Sequence, residues 1–252
     1  MTELPHWEQI PPDPAVATKE IKAALRDRIA ASGRTVAEVV AVLERQLAAE
    51  VAEIESACDR GETVWPVIDY ADIAAGTVDP GLTDLLRRRG CAVVRGQFEH
   101  DRARNWDAAL VDYVDRNGFA EQYRGPGDDF FASVGSKPEI YPIYWSRPQM
   151  EARQSDEMAR VQVFLNGLWR HESDGVRWFD PNRDSLYPDR IRRRPPGASS
   201  AGLGSHLDPG TLDLWMTREY QLAFRHLFDG TVEQYDPWDA AHRTTGPQYP
   251  GT

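Results

Sequence analysis

Gly204-Ser205-His206-Leu207-Asp208-Pro209-Gly210 is the stretch that decides how this chain is read. On an extended strand, residues two apart point to the same face, so His206 and Asp208 offer an imidazole nitrogen and a carboxylate oxygen to one point. That pair supplies two of the three ligands of the 2-His-1-carboxylate triad that holds non-haem Fe(II). The third ligand would be a His on a distant strand, yet the sequence ends at Thr252, 44 residues beyond Asp208 (252 − 208). The competing reading is a surface turn, because Asp208-Pro209-Gly210 is turn chemistry and Ser205 and His206 suit a loop.

Upstream, Asp189-Arg190-Ile191-Arg192-Arg193-Arg194 places four arginines in five positions. They read either as a solvated face or, with Arg190, Arg192 and Arg194 on one side of a strand, as a bidentate grip on an anionic ligand. The small residues 197–204 then deliver the chain to His206. Downstream, a helix is expected over about 217–228, with Tyr220, Phe224 and Leu227 on one side, and Asp229-Gly230 closes it. Earlier, residues 139–145 read as a strand running into Ser146, where Pro148 and Gln149 make a capped helix start. That helix is expected to continue through Met158, Val161, Leu165 and Trp169. Tyr144, Trp145, Arg147 and Gln149 set two aromatics beside polar donors, which suits a pocket wall as well as a core edge.

The first sixty residues read as helix. Ile21, Leu25 and Ile29 recur every four positions up to Gly33. A second helix opens on a capping box, Thr35 with Glu38, and carries Val36, Val40, Leu43, Leu47, Val51, Ile54 and Cys58 by threes and fours up to Gly61. This stripe is expected to pack on the rest of the chain, with a dimerising coiled coil as the alternative. From residue 62 the pattern turns to mixed α and β. Strands are expected over 64–70 and 91–95, with a helix between them from Leu82 to Arg89 capped by Gly90. A further helix is expected from Asp101, through Trp106, Leu110, Tyr113 and Val114, to Asn117-Gly118. The division is therefore 1–61, helical, and 62–252, α+β.

With 41% hydrophobic and 10% aromatic residues, the 252-residue chain can bury a core. A net charge of −11 argues against a phosphate-tracking surface for nucleic acid and against attraction to an anionic membrane. No apolar run reaches the roughly 18 residues of a membrane span, and the opening Met-Thr-Glu-Leu-Pro-His lacks a basic region followed by an apolar one. A soluble, reduced, cytoplasmic protein is expected, with Cys58 and Cys91 as buried small hydrophobes.

Asp-Arg-Ile-Arg-Arg-Arg-Pro-Pro-Gly (189–197), His206-x-Asp208 and Glu-Gln-Tyr-Asp-Pro-Trp-Asp-Ala-Ala-His-Arg (233–243) resemble the bacterial and fungal proteins grouped as domain of unknown function family 1479. Tyr-Trp-Ser-Arg-Pro-Gln at 144–149, Phe-Leu-Asn-Gly-Leu-Trp at 164–169 and Arg-Gly-Cys-Ala-Val-Val-Arg-Gly at 89–96 fit as well. That family is similar to Fe(II)/2-oxoglutarate-dependent oxygenases, whose fold is a double-stranded β-helix, or jelly roll, behind N-terminal helices. The resemblance implies His206 and Asp208 as metal ligands. It is also why Arg190, Arg192, Tyr144 and Arg147 become candidates for holding 2-oxoglutarate, around a small-molecule substrate.

The family's distal His and 2-oxoglutarate-binding Arg belong to a further C-terminal stretch. Of the local alternatives, His226 reads as a half-buried helix residue and His242 as a family position other than the distal ligand, while His6, His100 and His171 carry no ligand pattern. A partial jelly roll lacking its last strands, an incomplete triad and self-association through unpaired strand edges are therefore expected. Two function classes stand open: an oxidoreductase, and a non-catalytic remnant or binding and assembly module. A three-ligand zinc hydrolase is a weaker third.

Overall fold

The computed structural model describes residues 13–118, 140–141, 143–184, 189–193, 196–197 and 217–242. Two helices come first, α1 (Pro14–Ala30) and α2 (Val36–Asp59). Asp13 caps α1 by accepting from the amides of Ala15 and Val16, each at 3.1 Å. Thr35 and Glu38 form the reciprocal capping box expected of α2, satisfying amides that the first turn leaves without a helical acceptor.

A mixed region follows: β1 (Val67–Asp69), α3 (Tyr70–Ala75), α4 (Pro80–Arg89), β2 (Val93–Arg95) and α5 (His100–Arg116). β1 and β2 pair in parallel with Ile68 opposite Val94, and the crossover between them contains α3 and α4. Next come β3 (Ile140–Tyr141), α6 (Arg147–Arg153), α7 (Asp156–Asn166), the hairpin β4 (Glu172–Ser173) and β5 (Val176–Arg177), and β6 (Ile191–Arg192), which pairs antiparallel with β3. The chain's later described part holds α8 (Arg218–Ala223), α9 (Arg225–Phe228) and 3₁₀ turns at Val232–Gln234 and Ala240–His242. This is an α+β architecture whose described strands form three two-stranded sheets.

Three apolar clusters hold it. Ile68, Ile73, Leu86, Val161 and Leu168 gather between β1, α3, α4 and α7, with Trp238 packed against them. Val114, Tyr141, Ile143 and Ile191 join α5 to the β3–β6 pair. Ile29, Val39, Val42 and Val232, with Leu227 against them, seat the α1–α2 hairpin on the C-terminal turns. Burial of these side chains is the main stabilising contribution at each seam. Ion pairs add a second tie: Arg88 and Arg89 of α4 engage Glu50 and Glu53 of α2.

Several expectations are corrected. The α2 stripe faces water at Val36, Val40, Leu43, Leu47 and Val51, Leu47 being 66% exposed, whereas Val39, Val42 and Ala57 are the buried residues of that helix. At roughly 100° per residue these buried positions lie along one edge of the stripe, so the hairpin docks by that edge. Cys58, on the stripe, and Cys91 are both exposed thiols, not buried hydrophobes. The helix expected from Ser146 to Trp169 is two helices, because Ser155 turns out of the first and caps the second, accepting from Met158 N at 3.1 Å. Likewise the 217–228 helix breaks at Phe224. Glu99, not Asp101, caps α5 by accepting from Arg102 N at 2.9 Å. The strands expected over 64–70 and 91–95 shorten to the β1 and β2 spans above, and of the 139–145 strand the described residues 140–141 are extended in β3 while 143–145 are not. None of the described helices is long and apolar enough to cross a membrane.

Candidate functional site

Among the candidate site residues, the structure brings Tyr144 and Arg190 together. The organiser is Gln149, which is 6% exposed. Its Oε1 accepts from Ser146 N at 3.2 Å and from Ser146 Oγ at 2.7 Å, completing the cap of α6. Its Nε2 donates to Ile143 O at 2.9 Å, Asp189 O at 3.1 Å and Asp189 Oδ2 at 3.0 Å. One buried amide thereby fixes the chain leaving β3 against the chain entering β6, so that residues 46 apart in sequence face each other. Arg190 Nε donates to Tyr144 Oη at 3.1 Å, and its guanidinium stands 5.9 Å from the centre of that ring. Such a stack steadies the cation in one plane.

Around this pair, Arg153 donates to Tyr144 O, pairs with Asp189 at 2.7 Å and lies 5.2 Å over Trp145, whose side chain is 68% exposed. Arg147 points to solvent and pairs with Glu151 at 2.6 Å. Hydrogen bonds from Arg147 and then from the Trp106 indole hold the Glu151 carboxyl below its usual range. Arg192 lies on β6 opposite Ile140 and is exposed. Arg193 reaches across to Asp115 on α5 at 2.9 Å. The surface therefore presents a steadied guanidinium, an exposed indole and an exposed cation, a set suited to a planar or carboxylate-bearing ligand.

His206, Asp208 and Arg194 lie outside the described residues, as do the 213–216 segment, His6 and the tail after His242. Among the described residues no group of three His, Cys, Asp or Glu side chains could hold a metal ion. His226 and His242 meet with ring centres 4.9 Å apart. Sequence reasoning missed a cleft of about 740 Å³ between α5 and the α6–α7 junction, lined by Tyr70, Arg102, Trp106, Glu151, Gln154 and Arg160 among others. Arg102 there lies over Phe98 and Trp106 and pairs with Glu157 at 2.5 Å. No motif marks it, since its residues come from four separate helices, α3, α5, α6 and α7.

A family model described as Gig2-like matches residues 14–251. The uncharacterized protein YbiU of Escherichia coli (strain K12) is 49% identical over 243 residues, which are 96% of this chain and 57% of YbiU. A crystal structure from Salmonella typhimurium LT2, described as that of a "Putative Oxidoreductase", aligns with a TM-score of 0.87 at 48% identity, covering 97% of this chain and 58% of that one. GIG2 (DUF1479) from Candida albicans, a GlcNAc-inducible gene product, aligns over 89% of this chain and 46% of its own with a TM-score of 0.69 at 24% identity, a likeness of fold. The chain thus spans rather more than half the length of the relatives it matches.

Proposed function

Because the chain belongs to the Gig2-like family, we propose that it carries part of an oxidoreductase site of the Fe(II)/2-oxoglutarate-dependent oxygenase kind, acting on a small molecule. In this reading His206 and Asp208 hold the metal, and the β3–β6 pair belongs to a jelly roll. Imidazole nitrogen and carboxylate oxygen are donors that Fe(II) accepts, so the residue types fit. Bound there, iron and 2-oxoglutarate together would supply oxidising power from O2. The chain's own contribution is binding and orientation. Arg190, stacked on Tyr144, offers its remaining N–H groups to a carboxylate, and Arg192 adds positive charge along the same strand. Arg147, committed to Glu151 at the solvent edge, would tune approach more than hold the anion.

The observation that carries this reading is the Arg190–Tyr144 contact, built by a buried Gln149 and followed, after the 197–204 linker, by the His206–Asp208 pair. Support also comes from the description of the Salmonella relative. Replacing Arg190 by alanine removes a charge-assisted grip, and 2-oxoglutarate measured by calorimetry with Mn(II) present should bind roughly 10-fold or more weakly. Thermal stability should barely change, since the side chain is exposed. Equal affinity in the variant would refute the assignment. A second reading, a binding or assembly module, is favoured by the water-facing stripe of α2, a kind of surface that proteins usually cover. It expects no 2-oxoglutarate binding by the wild type at all.

A further inference from the structure

The turn that receives the N-terminal helices begins at His226, whose ring meets that of His242 from the 3₁₀ turn Ala240–His242. Asp229 pairs with Arg28 of α1 at 2.5 Å. Arg34, just before α2, donates to Gly230 O at 2.6 Å and pairs with Glu233 at 2.7 Å. Gly230 has φ +69°, and a Cβ there would sit 2.6 Å from Ser32 Oγ, so the hairpin loop rests directly on this backbone. His226 closes the turn that carries Asp229 and Gly230. Its Nδ1 is 2.9 Å from Thr231 Oγ1, and its carbonyl accepts from Thr231 N at 2.7 Å. Its Nε2 is buried with no hydrogen-bond partner among the described residues.

The groups around His226 decide what a proton would do. The His242 ring stands 4.9 Å away and the Tyr235 ring 6.0 Å away, and Arg225 precedes it on α9. Asp229 is the nearby anion, but Arg28 already engages it. His242 is occupied elsewhere: its Nδ1 lies 3.1 Å from Asp236 O, and its Nε2 lies 3.6 Å from the buried carboxylate of Asp239, which also pairs with Arg170. Whichever nitrogen carries the proton of the neutral ring, the imidazolium has an Nε2–H with no acceptor among the described residues and a charge beside another imidazole and an arginine, a combination that low dielectric penalises. We propose that His226 is a proton-sensitive latch on the docking of the α1–α2 hairpin, closed while its ring is neutral and released as the ring takes a proton.

Burial, then His242 and Arg225, push the His226 pKa below its ordinary 6.5, with Asp229 opposing. A depressed histidine stabilises the closed form fully above the ordinary value, and that contribution is lost as pH falls below 6.5 towards the folded-state value. The neighbouring Arg34–Glu233 pair works in a separate window. Hydrogen bonds from Arg34 hold the Glu233 carboxyl down to about 2, so its contribution fades only as pH falls from 4.5 towards that value.

Amide hydrogen exchange at pH values between 7.5 and 5, corrected for intrinsic rates, reads the latch. Protection of amides in α1 and α2 should fall below pH 6.5 by up to about 10-fold per pH unit, while β1 and β2 hold theirs. His226→Gln keeps a partner for Thr231 and cannot be protonated, so it should flatten that slope. An unchanged slope in the variant, or a flat profile in the wild type, overturns the proposal. Should the variant fail to fold, the NMR titration of His226 in the wild type decides: a midpoint at or above 6.5 overturns it, and a midpoint below 6.5 that coincides with the loss of protection upholds it.

Discussion

Replacing Gln149 by leucine, close in volume and unable to hydrogen-bond, is expected to destabilise the protein by about 2–3 kcal/mol. The cost arises from what the amide leaves behind. Ile143 O and Asp189 O lose their donor, and Ser146 N–H loses the acceptor that completed the α6 cap. A buried polar group without a partner carries its full desolvation cost, which outweighs the apolar area that leucine gains. The variant should also loosen Tyr144 from Arg190, because both are carried on backbone that Gln149 joins. Gln149→Glu should be worse at neutral pH, since a carboxylate would face Asp189 Oδ2 where the amide donated at 3.0 Å. Denaturant unfolding of the three proteins measures this; a Leu variant within about 0.5 kcal/mol of wild type would remove Gln149 as the organiser.

Trp238→Ala is the second large effect, at about 3 kcal/mol and so a fall in Tm of roughly 6–12 °C. Trp238 packs on the Ile68–Leu86–Leu168 cluster, meets Trp169 edge-on with centres 5.1 Å apart, and donates its indole N–H to Arg87 O at 3.0 Å. Its carbonyl accepts from Arg170 N at 2.8 Å, beside the parallel bridge of Arg170 with Asp239. One ring thus pins the segment around 236–242 to α4 and α7. Trp238→Phe should recover most of the loss, lacking the bond to Arg87 O and the packing of the second ring. Calorimetric scans that place Trp238→Ala within about 2 °C of wild type would mean the ring is peripheral.

Local devices were legible in the sequence. The two capping boxes, the Gly90 stop and the Asn117 terminus are set by residues within four positions of one another, and the structure forms them as expected. Other local signals went unread. Ser155 followed by two acidic residues is a helix start, and it split the expected long helix. Asp174-Gly175, both at positive φ, is the two-residue turn joining β4 to β5. Tertiary choices were not legible. The apolar side of α2 is broad enough that periodicity could not tell which edge the C-terminal turns would cover, and they cover Val39 and Val42. The meeting of Tyr144 with Arg190 depends on β3 pairing with β6 across 50 residues, and the clamp on Asp229 and Gly230 on docking across roughly 200. No short pattern encodes such contacts.

The central claim, that His206 and Asp208 form a metal site served by the Arg190 wall, is tested most directly by electron paramagnetic resonance titration of the chain with Mn(II), with and without 2-oxoglutarate. The account predicts weak Mn(II) binding, as two protein ligands allow, that 2-oxoglutarate strengthens, and that His206→Ala and Asp208→Ala each abolish without lowering Tm. Binding curves that coincide for wild type and both variants, or that ignore 2-oxoglutarate, would contradict it.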